Sequence, residues 1–116
     1  MLVNLKRLVD GGVPVATATD AGNIGSPHVS SYFVELASMH SGGLDMWQLL
    51  QSSTINGARA VGKEKEFGSI AKGKRADLVM LSKNPIDNLD NWQHVDWVIL
   101  RGVARKPVDL LKPGSD

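Results

Sequence analysis

The sequence predicts an α/β first half followed by a small β-rich second half, and two observations support this interpretation. Near the start, a helical pattern stops at a Gly-Gly pair and is followed by a short apolar run typical of a buried strand. After about residue 68, β-prone runs alternate with turn residues. We therefore expect one part over residues 1–62 and a second part over residues 63–116.

The first helix and strand are predicted from apolar spacing. Gly11 and Gly12 follow the helix and should end it. The run over residues 13–18 lacks clean alternation, as expected for a strand that is covered on both faces in a parallel sheet. Helix, tight turn and strand together resemble half of a repeating β/α unit. The apolar residues on one helical face are Leu2, Leu5, Leu8 and Val9.

Three further helices are predicted in the first half. One begins near Ser30 and runs to about Ser41, where two glycines follow. Asp45 is a plausible cap for the next helix, and a last helical stretch covers roughly residues 54–61. In the second half, residues 77–81 and 96–100 are predicted strands. Arg101-Gly102 is predicted as a hairpin turn into residues 103–106.

Composition excludes several classes of function. The chain has 116 residues, of which 42% are hydrophobic and 22% charged, as is usual for a globular protein. Its net charge of +1 gives no reason to expect nucleic acid or a membrane as a partner. The absence of cysteine removes disulfides and thiolate metal sites. Charged residues interrupt the apolar N-terminus, so no signal peptide is recognised and a cytoplasmic location is expected.

Two segments resemble a known family. Residues 13–23, VPVATATDAGN, are similar to the eighth barrel strand of the amidohydrolase superfamily, in particular its imidazolonepropionase-like and prolidase-like members. The second segment resembles the signature at which that family's chain leaves the barrel and joins a β-sandwich. It consists of TINGARAVG at 54–62, FGSI at 67–70, GKRADLV at 73–79 and Asn84-Pro85.

The resemblance implies a fold and a cofactor. The fold would be α/β: the C-terminal fragment of a (β/α)₈ barrel, with its last strand and helices, followed by part of a small β-sandwich. The family binds zinc or another divalent metal through a His-x-His motif, further histidines and an aspartate that ends the eighth strand. Only that aspartate has a counterpart here, Asp20. The three histidines form no His-x-His pair, so this chain alone is expected to bind no metal.

Site residues are carried over from the resemblance position by position. Asp20 would be the catalytic residue and a metal ligand, since a carboxylate is both a hard oxygen ligand and a base. Considered without the resemblance, Asp20 is a turn residue in Asp-Ala-Gly-Asn. His28 and Asn23 follow it and are candidates for substrate binding, while loop and turn roles remain open for both. Glu35 resembles a glutamate common in this helix of the family, for which a structural role is favoured.

The function implied is hydrolysis of amide or cyclic amide C–N bonds in small-molecule or peptide-like substrates. The chain alone is expected to be inactive, because it lacks most metal ligands. The alternative is a non-catalytic module, derived from an amidohydrolase, that self-associates or completes a partner. A lone buried strand with open edges also predicts a homo-oligomer. The substrate cannot be read from the sequence, because the family's selectivity resides largely in other loops.

Overall fold

The computed structural model describes residues 2–22, 28 and 30–111. Within them lie four α-helices, a three-stranded sheet and two 3₁₀ helices. The α-helices are α1 (Leu2–Asp10), α2 (Ser30–Ser41), α3 (Met46–Ser53) and α4 (Ile55–Ala60). The strands are β1 (Leu78–Leu81), β2 (Val95–Leu100) and β3 (Val103–Arg105). The 3₁₀ helices are Leu89–Gln93 and Pro107–Leu111. The longest described helix has 12 residues, and none is long and apolar enough to cross a membrane.

Helix ends follow from the local sequence. The Gly11 amide donates to the Arg7 carbonyl at 2.9 Å, and Gly12 has a φ of 82°, a conformation that closes a helix without steric cost in glycine. At α3, the Gln48 amide donates to Asp45 Oδ1 at 2.8 Å, and the Gln48 side chain accepts from the Asp45 amide at 3.0 Å. This reciprocal capping box confirms the predicted cap.

The sheet is antiparallel in the order β1-β2-β3. Leu78 pairs with Ile99 and Val98 with Arg105. Arg101 and Gly102 join β2 to β3 with φ values of 51° and 84°. Positive φ at both central residues matches the right-handed twist of a tight hairpin, so the predicted turn is confirmed.

Asp77 ties this hairpin turn to the residues before β1. Its Oδ1 accepts from the Arg101 backbone amide at 2.9 Å, and its Oδ2 accepts from Arg75 Nε. The hydrogen bond from the Arg101 amide, together with that from Arg75, lowers the pKa of the Asp77 carboxyl because both favour the charged form. The bond to Arg101 also supports a non-glycine residue in a left-handed conformation.

The core lies between the helices and includes one residue from the C-terminal half. Trp92 is buried, and its indole Nε1 donates to the Pro85 carbonyl at 2.9 Å, so its polar atom is satisfied. Leu5 and Val9 of α1 pack against the same cluster. The two halves of the chain therefore share apolar contacts, while the predicted division into residues 1–62 and 63–116 stays a prediction. The buried members are Leu36, Met39, Leu44, Leu49 and Trp92.

The predicted strand over residues 13–18 is wrong as a regular element. Among the described residues, segment 13–18 has no strand beside it, and its backbone groups bond to helices instead. A strand exists only where a second backbone completes the ladder. The prediction that this segment is buried holds for only part of it. Val15 packs against the core, whereas Val13 is 46% exposed.

Candidate functional site

Segment 13–18 leads from α1 to Asp20 and is held along its length by helices that follow it. The Asn56 side chain in α4 donates from Nδ2 to the Val15 carbonyl at 2.9 Å. The Thr17 amide donates to the Ser52 carbonyl of α3 at 3.1 Å. The Ala18 amide donates to Glu35 Oε1 of α2 at 2.8 Å. These bonds satisfy backbone groups that a lone segment would otherwise leave unpaired.

Asp20 stands where this segment ends and a turn begins. It is exposed and has a φ of 49°, so its backbone lies in the left-handed region. Aspartate tolerates that region better than most residues, yet a strained conformation costs about 1–3 kcal/mol and persists only where its surroundings hold it. Gly22, with a φ of 106°, completes the turn. The carboxylate is thus displayed at the end of a held segment.

His28 is brought to the same turn. A Cβ built on Gly22 would lie 3.3 Å from Cε1 and 3.4 Å from Nε2 of the His28 ring, so the imidazole rests against the Gly22 backbone. A side chain at position 22 would press on that ring. The structure therefore places the His28 ring against Gly22, two residues after Asp20 in the same turn. Asn23, also carried over from the sequence, lies outside the described residues.

Two residues that hold segment 13–18, Asn56 and Glu35, were not predicted from the sequence to contact it. Asn56 lies in the quoted TINGARAVG motif, but its bond to Val15 joins residues 41 apart and no local pattern shows it. Glu35 received only a structural role, without a partner. Its Oε2 is buried with no hydrogen-bond partner among the described residues.

Within residues 2–22, 28 and 30–111, the side chains do not by themselves form a site that fits a metal ion. Asp20 offers a hard oxygen donor of the right kind. Across the described part of the chain, however, no group of three or more His, Asp or Glu side chains is placed to hold a cation. Zinc sites generally need three or four converging protein ligands. The described residues therefore supply Asp20 as a possible ligand but no complete zinc site.

A shallow groove of about 160 Å³ lies at the other end of segment 13–18. Its lining includes Val13, Val15 and Asn56, and residues of α1 and α3 complete it. Asp20 and His28 are not among its lining residues, and it contains no carboxylate or imidazole. We therefore assign the candidate site to the Asp20 turn and not to this groove.

Comparison with known proteins places the chain in a class. The sequence pattern of the amidohydrolase family matches residues 1–105. Imidazolonepropionase of Geobacillus kaustophilus is 44% identical over 78 residues, which cover 66% of this chain and 18% of that protein. A Xaa-Pro dipeptidase crystal structure with methionine in its active site covers 90% of this chain and 25% of its own, with a TM-score of 0.77 and 30% identity. Molinate hydrolase covers 97% of this chain and 28% of its own, with a TM-score of 0.79 and 26% identity.

The chain belongs to the amidohydrolase family. These matches confirm the resemblance of the two sequence segments to the amidohydrolase superfamily. Similarity to imidazolonepropionase-like and prolidase-like members is confirmed as well. The chain spans about a fifth of the length of the curated relatives it matches. The mixed α/β architecture with a small antiparallel sheet agrees with the fold of its structural neighbours.

Proposed function

We propose that this chain is the C-terminal part of a metal-dependent amidohydrolase that hydrolyses amide or cyclic amide C–N bonds. The observation that carries the proposal is the position of Asp20, exposed in a left-handed turn at the end of a segment held by three helices. Catalytic residues of barrel enzymes lie at the C-terminal ends of strands. Segment 13–18 would become the eighth strand once neighbouring strands supply the ladder that it lacks here.

Asp20 would act as a general base. A divalent metal in such enzymes polarises the scissile carbonyl and makes water more acidic. Asp20 would contribute one oxygen ligand to that site and accept a proton from the attacking water. A carboxylate does this well near neutral pH because it is ionised there. His28, which lies against Gly22, would contact the substrate, and the family resemblance assigns Asn23 the same role.

The rest of the chain would support the barrel. Residues 1–62 would supply the last barrel strand and the closing helices, and residues 63–116 would supply sandwich strands. The remaining metal ligands would come from barrel strands absent from this sequence. By itself, the chain should then hydrolyse no amide. The first test is the coding sequence upstream of Met1, where an in-frame His-x-His motif is expected. If the reading frame instead starts at Met1 and no such motif precedes it, the non-catalytic module would be favoured.

The second test uses the complete enzyme, supplied with zinc and offered Xaa-Pro dipeptides and cyclic imides. Asn at position 20 keeps the size of the side chain but removes its basicity, so Asp20→Asn should lower kcat about 10²–10⁴-fold. Asp90→Asn is the matched control, because Asp90 is an exposed aspartate in the 3₁₀ helix before β2. A normal kcat in the Asp20→Asn enzyme, with zinc bound, would show that Asp20 is only a turn residue.

A non-catalytic module that self-associates or completes a partner is the second candidate. It is favoured by segment 13–18, which has no strand partner among the described residues, and by the exposed Leu8 and Val13 beside it, 49% and 46% accessible. Open edges and apolar surface both recruit other chains. The expected homo-oligomer can be tested by light scattering at micromolar concentration. A well-folded monomer would count against this candidate.

A further inference from the structure

Of the three long-range hydrogen bonds that hold segment 13–18, the one from the Ala18 amide to Glu35 lies nearest to Asp20 along the chain. Glu35 lies in the second turn of α2, and its Oε1 accepts the Ala18 amide at 2.8 Å, 17 residues away along the chain. Ala18 precedes Asp20 by two residues. The bonds made by Asn56 and Ser52 hold Val15 and Thr17, which lie further from the Asp20 turn. Glu35 therefore anchors the end of the segment at which the left-handed turn begins.

The geometry points to Glu35 as a positioning residue: it fixes the Ala18 backbone and thereby sets where Asp20 presents its carboxylate. A carboxylate oxygen accepts a hydrogen bond from an amide N–H, and a side-chain amide oxygen at the same position can do so too. The backbone of Asp20 is strained, so its conformation depends on such anchors. This inference rests on the proposed function, since it assigns Glu35 a role through Asp20.

Burial separates a positioning role from direct catalysis. Asp20 is exposed, whereas Glu35 is half-buried and its Oε2 is enclosed. An enclosed oxygen is poorly placed to touch a substrate that approaches the Asp20 turn. The other oxygen is already occupied by Ala18. Glu35 therefore contributes a hydrogen-bond acceptor for the Ala18 amide, and the side-chain oxygen of glutamine could replace it.

Two substitutions in the complete enzyme test the inference. Glu35→Gln keeps an oxygen that can accept from Ala18, whereas Glu35→Leu removes the acceptor at similar volume and helix propensity. Outer residues that orient a ligand or base typically change metal affinity or activity about 10–100-fold. We expect Glu35→Leu to lower kcat and zinc affinity by that factor with little change in KM. Glu35→Gln should restore most of both.

Hydrogen exchange supplies a readout that does not depend on turnover. In Glu35→Leu, the Ala18 amide should exchange about tenfold faster or more than in the wild-type enzyme, while amides of β1 and β2 keep their rates. Glu35→Gln should protect the Ala18 amide again. Unchanged exchange at Ala18 in Glu35→Leu would overturn the inference. A Glu35→Gln enzyme as inactive as Glu35→Leu would also overturn it, because the charge and not the anchor would then matter.

Asp20→Asn, measured beside these variants, separates the two ideas. If Asp20→Asn keeps a normal kcat, the proposed function fails and Glu35 loses the role described here. If Asp20→Asn is inactive while Glu35→Leu keeps a normal kcat and only melts at a lower temperature, the proposed function stands and the positioning role falls. The inference is supported when both lose kcat and Glu35→Gln recovers it.

Discussion

Gly68 occupies the most crowded glycine position described, and alanine there should be badly tolerated. Gly68 has a φ of 92°, in a region that residues with a Cβ rarely adopt. A Cβ at this position would lie 2.6 Å from Cβ of Ala58, which is 1% exposed in α4. It would also lie 3.2 Å from Cα of Ile55 and 3.3 Å from the Thr54 carbonyl. Because these atoms are backbone or a rigid methyl, the helix itself must shift.

Two costs contribute to the effect of Gly68→Ala. The left-handed backbone costs an L-residue about 1–2 kcal/mol, and forcing a methyl into a packed contact costs about 1–3 kcal/mol more. Together they predict a loss of about 2–5 kcal/mol in the free energy of unfolding. Gly73 separates the two costs. Its φ is 87°, but nothing lies within 4 Å of its Cβ position, so Gly73→Ala should lose only the backbone part.

Urea unfolding followed by tryptophan fluorescence is a suitable assay, because Trp92 is buried and reports loss of the core. With a slope of about 2 kcal/mol per molar urea, the midpoint of Gly68→Ala should fall roughly 1 M below that of Gly73→Ala. Removing the opposing methyl with Ala58→Gly should recover part of the loss, as expected for residues in contact. Equal midpoints for the two alanine variants would refute the steric argument and leave only the backbone cost.

Two further predictions concern stability. Asp77→Asn should lower the urea midpoint at neutral pH. Hydrogen bonding lowers the pKa of the Asp77 carboxyl, so the stability that the charged carboxylate contributes is fully present above the ordinary pKa of 3.8. That contribution is lost as the pH falls through the lowered pKa. The gap to the wild type should therefore close on acidification, with Asp90→Asn as the control, and a gap that widens would contradict the assigned cause. Asp45→Ala removes the cap of α3 and should cost about 0.5–2 kcal/mol in thermal unfolding; no loss at all would mean that the capping box contributes nothing.

Local sequence determined most helices and turns. Gly12 ends α1 because glycine adopts positive φ without penalty, and Asp45 begins α3 because its side chain reaches an amide three residues ahead. In the hairpin, Gly102 follows the same local rule, whereas the positive φ of Arg101 is supported by Asp77, 24 residues away. The local features depend on atoms within a few residues of one another, so the sequence pattern contains the cause and can be interpreted without a fold.

Only the tertiary structure decided how the Asp20 turn is built. The sequence predicted a strand over residues 13–18, but a ladder needs a neighbour, and the described residues satisfy this backbone from α2, α3 and α4 instead. The partners Glu35 and Asn56 lie 17 and 41 residues from the groups they hold. The contact between Gly22 and the His28 ring likewise joins residues that no local pattern pairs. The sequence alone identified Asp20 through a family motif, whereas the segment that leads to it is held by long-range hydrogen bonds that no local pattern encodes.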